Sequence, residues 1–217
     1  MLNLTSNYII QDSVSQSALQ VKNEDALNEG RKSLYKSMAY LEEIVSNYVD
    51  ASFSEYEERL AAIVSVDQDR RFLLIRKMGL AVQLLENAYG DNNKWKWTFV
   101  ELDGRYAVVA KNILNLKNAS ANTDPRAADY ESTVYHLRLV KKLYTQAADR
   151  YREKYEVSSK QIEDFKQAIL FLSGLMRMLT VLGDQNELEE IKKRHVVWSA
   201  KLDADEKKQA EEAAKKK

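Results

Sequence analysis

Apolar side chains return every three or four positions along most of this 217-residue chain. The segment WKWTFVELDGRYAVV has two interpretations, because WKWTFVEL and RYAVV flank Asp103 and Gly104 as strands flank the turn of a β-hairpin. Strict alternation of apolar and polar residues fails in FVEL and YAVVA, so the spacing predicts a helix. Its apolar series takes steps of four and three residues through Trp95, Phe99, Leu102, Tyr106, Val109, Ile113 and Leu116.

A second apolar stripe on the same predicted helix runs through Trp97, Val100, Gly104, Ala107 or Val108, and Leu114. A helix that is apolar on two sides is expected to lie between other helices. Gly104 costs about 1 kcal/mol relative to alanine inside a helix, and the close approach of a neighbouring element would explain it. Asn92 and Asn93 supply N-cap chemistry for this helix.

Similar spacing predicts helices along the rest of the chain, and cap residues indicate where they start and end. Ser52 or Ser54 with Glu55 or Glu57 forms a capping-box pattern. Thr123 or Asp124 before Pro125 indicates an N-cap followed by proline at the first helical position. The seven predicted helices are 25–49, a short helix after Ser52 or Ser54, 68–89 closed by Gly90, 93–116, Pro125 to about Tyr155, Ser158 to Gly183, and Asp184 to Leu202.

The expected fold is therefore all-α, an elongated bundle of about seven long amphipathic helices with coiled-coil-like packing, because steps of three and four favour near-parallel contacts. Residues 25–202 form the predicted bundle domain. Residues 1–24 are expected as a loosely docked N-terminal arm or a short helix. Residues 203–217 have no large apolar side chain, so they are expected as a solvated helix extension or a frayed tail.

The composition excludes several classes of protein. Lysine and arginine number 33, as do aspartate and glutamate, so no broad basic surface for nucleic acid is expected. Cysteine is absent, which removes disulfides and thiolate metal sites. The longest apolar run, residues 168–183, is shorter than the roughly 20 residues that span a bilayer, so it predicts a buried helix and no transmembrane segment.

Candidates for chemistry are few. His136 and His195 are the only imidazoles, and the residues three positions before them, Thr133 and Lys192, do not form a Glu-x-x-His metal motif. No glycine-rich phosphate loop is present. We expect structural histidines, no catalytic residues, no cofactor and no metal, and thus a protein that is not an enzyme.

Aromatic side chains are the better candidates for binding. The chain has twelve tyrosines, most of which are expected to pack in the core. Tyrosine and tryptophan are also enriched in the energetically important centres of interfaces. Trp97, Tyr135 and Trp198 are the predicted contacts with a protein partner.

The cysteine-free, tyrosine-rich helical chain resembles the coiling and sheath proteins of spirochaete flagella, through ALNEGRKSLYKSMAYLEEIVSNY and WKWTFVELDGRYAVVAKNI. The resemblance implies a periplasmic protein that coats a filament through lateral contacts, and it carries over no functional residue. No secretory signal opens the chain at Met1, which departs from an exported protein and leaves a cytoplasmic location open.

Two functions follow as expectations. The first is a non-enzymatic structural or assembly protein that presents helix faces to copies of itself or to another protein. Self-association of this kind could produce a homo-oligomer or a filament. The second is a helical adaptor or regulator that binds peptides or partner helices in a groove. An enzyme ranks third, because it would need a polar pocket with perturbed carboxylates around His136 or His195.

Overall fold

The computed structural model describes residues 1–90 and 95–215, in which no strand forms. The all-α prediction is confirmed, and two further helices, α1 and α6, raise the number of α-helices in these residues from the expected seven to nine. Their bounds are α1 Leu2–Leu19, α2 Glu24–Val45, α3 Glu57–Ala62, α4 Gln68–Tyr89, α5 Lys96–Asn112, α6 Leu116–Ala121, α7 Tyr130–Lys154, α8 Ile162–Leu182 and α9 Gln185–Lys215.

Helix α5 lies at the centre of the bundle, packed by α2, α4 and α7. Both apolar stripes are buried, from Phe99 and Val100 at its start to Val108 and Val109 near its end. A Cβ atom on Gly104 would lie 2.9 Å from Cε2 of Tyr151, so the expected close approach is present. The helix interpretation of this segment is confirmed, whereas the N-cap expected at Asn92 and Asn93 lies outside the described residues.

The apolar series continues to Leu116, but α5 ends at Asn112. The Asn112 amide nitrogen donates hydrogen bonds to the carbonyl oxygens of Ser46 and Tyr48, both at 3.1 Å. The carbonyl oxygen of Ile113, freed at the helix end, accepts a hydrogen bond from Arg71 at 3.1 Å. Tertiary hydrogen bonds therefore compensate for ending the helix before its apolar pattern ends.

The predicted start of α7 at Pro125 is wrong. Asp124 makes a local turn, in which its Oδ1 accepts a hydrogen bond from the backbone nitrogen of Arg126 at 2.9 Å. Such turns compete with helix formation, and α7 begins only at Tyr130. Most of α6 lies between the predicted helices 93–116 and Pro125 to about Tyr155, where no helix was expected. The Asn115 side chain caps it by accepting a hydrogen bond from the backbone nitrogen of Asn118.

Other predicted helix ends have mixed outcomes. Ser52 and Glu55 form the expected capping box, at the start of a 3₁₀ turn, Phe53–Glu55, that precedes α3. Ser158 does not start α8, because a π-helical turn, Tyr155–Ser159, extends α7 and α8 begins at Ile162. Gly90 and Gly183 end α4 and α8 with positive φ angles of 82° and 71°, as expected for glycine at these positions.

The N-terminal residues form an 18-residue helix, longer than the arm or short helix that the sequence suggested. Helix α1 packs against α2 and α4, although two of its three buried residues, Thr5 and Asp12, are polar. Asp12 accepts a hydrogen bond from the backbone nitrogen of Asn23 at 2.7 Å, which ties α1 to the start of α2. Helix α1 therefore docks largely through polar side chains, and for this reason its sequence lacks the apolar spacing that normally indicates a docked helix.

Helices α7, α8 and α9 pack consecutively. Within the described residues, α8 alone is long and apolar enough, by length and composition, to cross a membrane, and half of that window is buried inside the chain. The tail was expected to be either a helix extension or frayed. Helix α9 continues past Leu202 to Lys215, so the tail extends the helix. Tyr155 donates a hydrogen bond to Asp205 of this extension at 2.9 Å.

Candidate interaction surfaces

The three predicted contact residues lie on three different helices. Tyr135 on α7 is 54% exposed, with the Arg138 guanidinium 5.9 Å from its ring centre. Trp97 on α5 is half-buried and lies beside the ammonium group of Lys96. No hydrogen bond or ring contact joins the three side chains in the described part of the chain.

Trp198 on α9 has internal partners. It is only 3% exposed, and its ring lies between the guanidinium groups of Arg152 and Arg194, at 4.8 and 4.2 Å from the ring centre. The ring also packs against Phe165, with 6.1 Å between ring centres. The tryptophan therefore joins α7, α8 and α9 within the bundle.

Both histidines make hydrogen bonds that explain their positions. His136 is fully buried, and its Nε2–H donates to the carbonyl oxygen of Ala110 at 2.9 Å while Nδ1 accepts from the Gln68 amide at 3.1 Å. Burial lowers the pKa of His136 to about 4, so the ring is neutral at physiological pH. His195 pairs with the Ser173 hydroxyl at 3.0 Å, and that hydroxyl is also bonded to Ile169 in its own helix.

A buried polar cluster holds residues 46–52, the segment between α2 and the 3₁₀ turn. The Lys111 ammonium group donates hydrogen bonds to the carbonyl oxygens of Val49 and Ala51, at 3.3 and 3.4 Å, and lies 5.4 Å from the ring centre of Tyr56. Tyr144 donates to the Val49 carbonyl oxygen at 3.0 Å. Because Lys111 is 1% exposed, desolvation lowers its pKa to about 8. These contacts give the cluster a structural role.

A groove of about 570 Å³ lies between α4 and α7 and is here called the α4–α7 groove. The two helices run in the same direction, because Gln68 meets His136 near their starts and Glu86 meets Arg150 near their ends. Helix α5 supplies the floor through Asp103 and Tyr106. Apolar parts of the walls come from Val82, Leu139, Leu143 and Ala147.

Gly79 opens the middle of the groove. The Tyr106 hydroxyl donates a hydrogen bond to the Ile75 carbonyl oxygen at 3.0 Å, and a Cβ on Gly79 would overlap that hydroxyl. Glycine at this position therefore lets α5 approach α4. The floor of the groove is made by a tyrosine whose hydroxyl is already bonded.

One end of the groove is acidic. Arg150 from α7 bridges Asp103 of α5 and Glu86 of α4. Burial raises the pKa of Asp103 to about 6, against the opposing effect of Arg150. Asp149 also lines this end and pairs with Arg194. Three carboxyl groups thus line the groove near the C-terminal end of α4, and with two arginines paired to them they leave one excess acidic side chain there.

The other end of the groove is basic. Residues 70–85 of α4 and 132–148 of α7 contain no aspartate or glutamate. Arg76 and Lys142 line the groove there, Lys77 and Arg138 are exposed nearby on the same two helices, and none of the four forms an ion pair with a described residue. The two acid-free stretches are visible in the sequence, but only the structure shows that they lie side by side. Sequence reasoning from the net charge therefore missed this basic surface.

The outer face of α1 is different in character. Asp12 is the only charged side chain in residues 2–21, and it is buried. Apolar side chains point away from the bundle, including Leu4 at 41%, Ile10 at 58% and Val14 at 60% exposure. Charged residues make up 30% of the whole chain, so this uncharged helix face stands apart from the rest of the surface.

No group of three or more histidine, aspartate or glutamate side chains in the described residues has the arrangement of a metal site. Comparison with known proteins identifies a family: the model of the TP0443 family matches residues 1–206, so the chain belongs to that family. The family is named after a Treponema pallidum protein, which supports the expected relation to spirochaete proteins at the level of the family. Among curated proteins and among solved structures, none matches.

Proposed function

We propose that this TP0443-family protein is a non-enzymatic structural or assembly protein, which uses the outer face of α1 to make lateral contacts with other copies of the chain. The uncharged, partly apolar outer face of α1 carries the proposal. Exposed apolar side chains on a helix that is otherwise polar or solvated are typical of interaction sites.

The absence of charge favours a second copy as the partner. When two identical faces meet about a two-fold axis, residue i of one copy contacts residue j of the other and the reverse, and residues close to the axis meet their own equivalents. On a charged face such contacts place like charges together, whereas serine, asparagine and glutamine side chains on α1 can donate and accept hydrogen bonds with their own copies. The face of α1 is therefore suited to self-association.

The architecture gives the proposal a finer form. Long helices in near-parallel, coiled-coil-like contact would make an elongated subunit, and α9 alone has 31 residues. The resemblance to flagellar coiling and sheath proteins motivates a filament coat of a spirochaete flagellum in the periplasm as this finer form, and the family match supports the relation to spirochaete proteins alone. The two-fold contact of α1 would then pair neighbouring subunits, and a second contact between the pairs would extend the coat.

Light scattering coupled to size-exclusion chromatography, with chemical crosslinking, tests this proposal. The wild-type chain is expected to form dimers or larger assemblies, and the double substitution Ile10→Lys/Val14→Lys is expected to leave a folded monomer. Val196→Lys/Val197→Lys is the matched control, because these valines on α9 are similarly exposed, at 65% and 66%. A wild-type chain that stays monomeric, or α1 variants that associate as well as the control, would contradict the proposal.

A second candidate function is an adaptor that binds a peptide or a partner helix. The α4–α7 groove favours it, because the groove is concave, has apolar walls and lies on a different part of the surface from the outer face of α1. The two functions are compatible, since one chain can self-associate through one face and hold a partner with another.

A further inference from the structure

We infer that the α4–α7 groove binds an acidic amphipathic helix of a partner protein, with the acidic end of that helix beside Arg76 and Lys142. The inference rests on the adaptor function, whose partner it specifies, and does not depend on self-association through α1. It follows from the shape of the groove, the position of its exposed cations and the acidic group at its far end.

The shape suits a helical segment. The groove has about 570 Å³, which is within the usual range for ligand sites. From Arg76 to Glu86 it extends ten residues along α4, or roughly 15 Å, which corresponds to about three turns of a partner helix. Leu139 and Leu143 line the wall on α7, and apolar side chains of a partner helix can pack against them.

Two exposed cations, Arg76 and Lys142, line the groove, and Arg138 lies about one turn before Lys142 on α7. Arg76 is placed with its guanidinium 5.7 Å from the ring centre of Phe72, and Arg138 lies similarly over Tyr135. Lys142 lines the groove opposite Arg76. These cations lack a carboxylate partner among the described residues. Carboxylates of a bound segment can therefore form ion pairs with them.

The far end of the groove distinguishes an acidic helix from other polyanions. A nucleic acid or an anionic membrane presents negative charge all along its surface. At the end opposite Arg76, the carboxyl groups of Glu86, Asp103 and Asp149 outnumber the arginines that pair with them by one, and this excess negative charge would face part of that surface. A helix with acidic residues at one end and neutral or basic residues at the other avoids this repulsion.

Leucines outside the groove extend the apolar contact. Leu73, Leu80 and Leu84 follow one another on the outer side of α4 and are 49%, 56% and 41% exposed. These leucines are on the same helix as Arg76 and close to it in the sequence. A bound helix with apolar residues at three- and four-residue spacing is expected to cover part of this row.

The experiment uses the full chain and a fluorescent synthetic helix of sixteen residues, with glutamates in its first two turns, leucines at three- and four-residue spacing, and lysines in its last turn. Fluorescence anisotropy is expected to show saturable binding in the micromolar range. Arg76→Glu/Lys142→Glu is expected to weaken it by about tenfold or more, because two attractive contacts become repulsive. Lys117→Glu/Lys193→Glu is the matched control, because it changes the net charge equally at exposed lysines on α6 and α9.

Further arms separate the possible outcomes. A peptide with lysine in place of every glutamate, phosphatidylglycerol vesicles and a single-stranded oligonucleotide should bind weakly or not at all. Equal binding of the vesicles or the oligonucleotide would overturn the assignment of a protein helix. Absence of acidic-peptide binding, or binding that Arg76→Glu/Lys142→Glu leaves unchanged, would overturn the site.

The Ile10→Lys/Val14→Lys variant keeps the two proposals apart. It is expected to bind the acidic peptide as the wild type does, since α1 does not line the groove. Loss of self-association with retained peptide binding would support both surfaces. Loss of peptide binding in this variant, with the fold intact by circular dichroism, would count against an independent groove site.

Discussion

The ammonium nitrogen of Lys111 lies 3.4 Å from the carbonyl oxygen of Ala51, inside the bundle. The side chain is 1% exposed, and no carboxylate forms an ion pair with it in the described residues. A charge in this position is stabilised by carbonyl oxygens and by the tyrosine rings at its sides. Its desolvation links the free energy of unfolding to pH.

Lys111 makes the chain more stable as pH rises above 8. Its folded pKa of about 8 is below its ordinary value of 10.5, so the unfolded chain binds more protons between these values. The free energy of unfolding is therefore expected to rise by about 1 to 2 kcal/mol from pH 8 to about pH 9.5. Urea denaturation at a series of pH values measures this rise.

Lys111→Met is the control for that prediction. The variant is expected to lose the rise with pH, although it also leaves the Ala51 carbonyl oxygen without its hydrogen bond. Tyr144, whose pKa burial raises well above 10, acts in the opposite direction only at higher pH. An equal rise in the variant and the wild type would show that another group is responsible.

Gly174→Ala is expected to destabilise the fold. A Cβ at this position would lie 2.7 Å from the carbonyl oxygen of Val49 and 2.8 Å from Tyr144. The backbone or the buried ring must move, at a cost of roughly 1 to 3 kcal/mol. Helix propensity alone would instead give a gain of about 1 kcal/mol. Thermal and urea denaturation decide the sign, and a more stable variant would contradict the packing argument.

Arg150→Leu is expected to destabilise the chain by about 1 to 3 kcal/mol at neutral pH, a range that allows for partial solvent exposure of the ion pairs. Without Arg150, the pKa of Asp103 should rise further above its present value of about 6. A raised folded pKa favours the protonated form, so stability should be partly recovered as pH falls toward 5. Denaturation at pH 5 and pH 8 compares the two conditions.

Lys96→Met is the matched control for Arg150. It breaks a single ion pair with Glu153 in which both side chains are more than 40% exposed. Such exposed pairs contribute between about 0 and 1 kcal/mol. If Arg150→Leu and Lys96→Met lower the free energy of unfolding equally, the ion pair between Arg150 and Asp103 has no special role in stability.

Apolar spacing predicted the helices whose burial depends on the core. The series from Phe99 to Val109 identifies α5 correctly, because each of its steps brings another side chain into the bundle. Gly104 was interpreted correctly as a site of close approach, because a glycine weakens a helix and tight packing against a neighbour compensates for that cost. These features are local, and a short stretch of sequence contains them.

Helices fixed by polar tertiary contacts were harder to predict. Helix α1 is held partly by Asp12 and Thr5, which give no apolar period, and α5 is ended by hydrogen bonds from Asn112 to residues more than sixty positions away. The start of α7 depended on whether Asp124 caps a helix or forms a turn. The sequence is compatible with both.

The candidate surfaces were only partly foreseen. Tyr135 is exposed and stays a predicted contact, while the Trp198 ring packs against arginines of its own chain. The net charge of zero concealed the basic end of the α4–α7 groove, because acidic residues elsewhere balance it. Uneven distribution of charge becomes visible only when neighbouring helices are known.

The cation that organises residues 46–52 is covalently part of the chain. Loops whose carbonyl oxygens converge on calcium lose their shape when a chelator removes the ion. Lys111 cannot be extracted in this way, so this corner of the protein should tolerate EDTA and a changing supply of divalent ions.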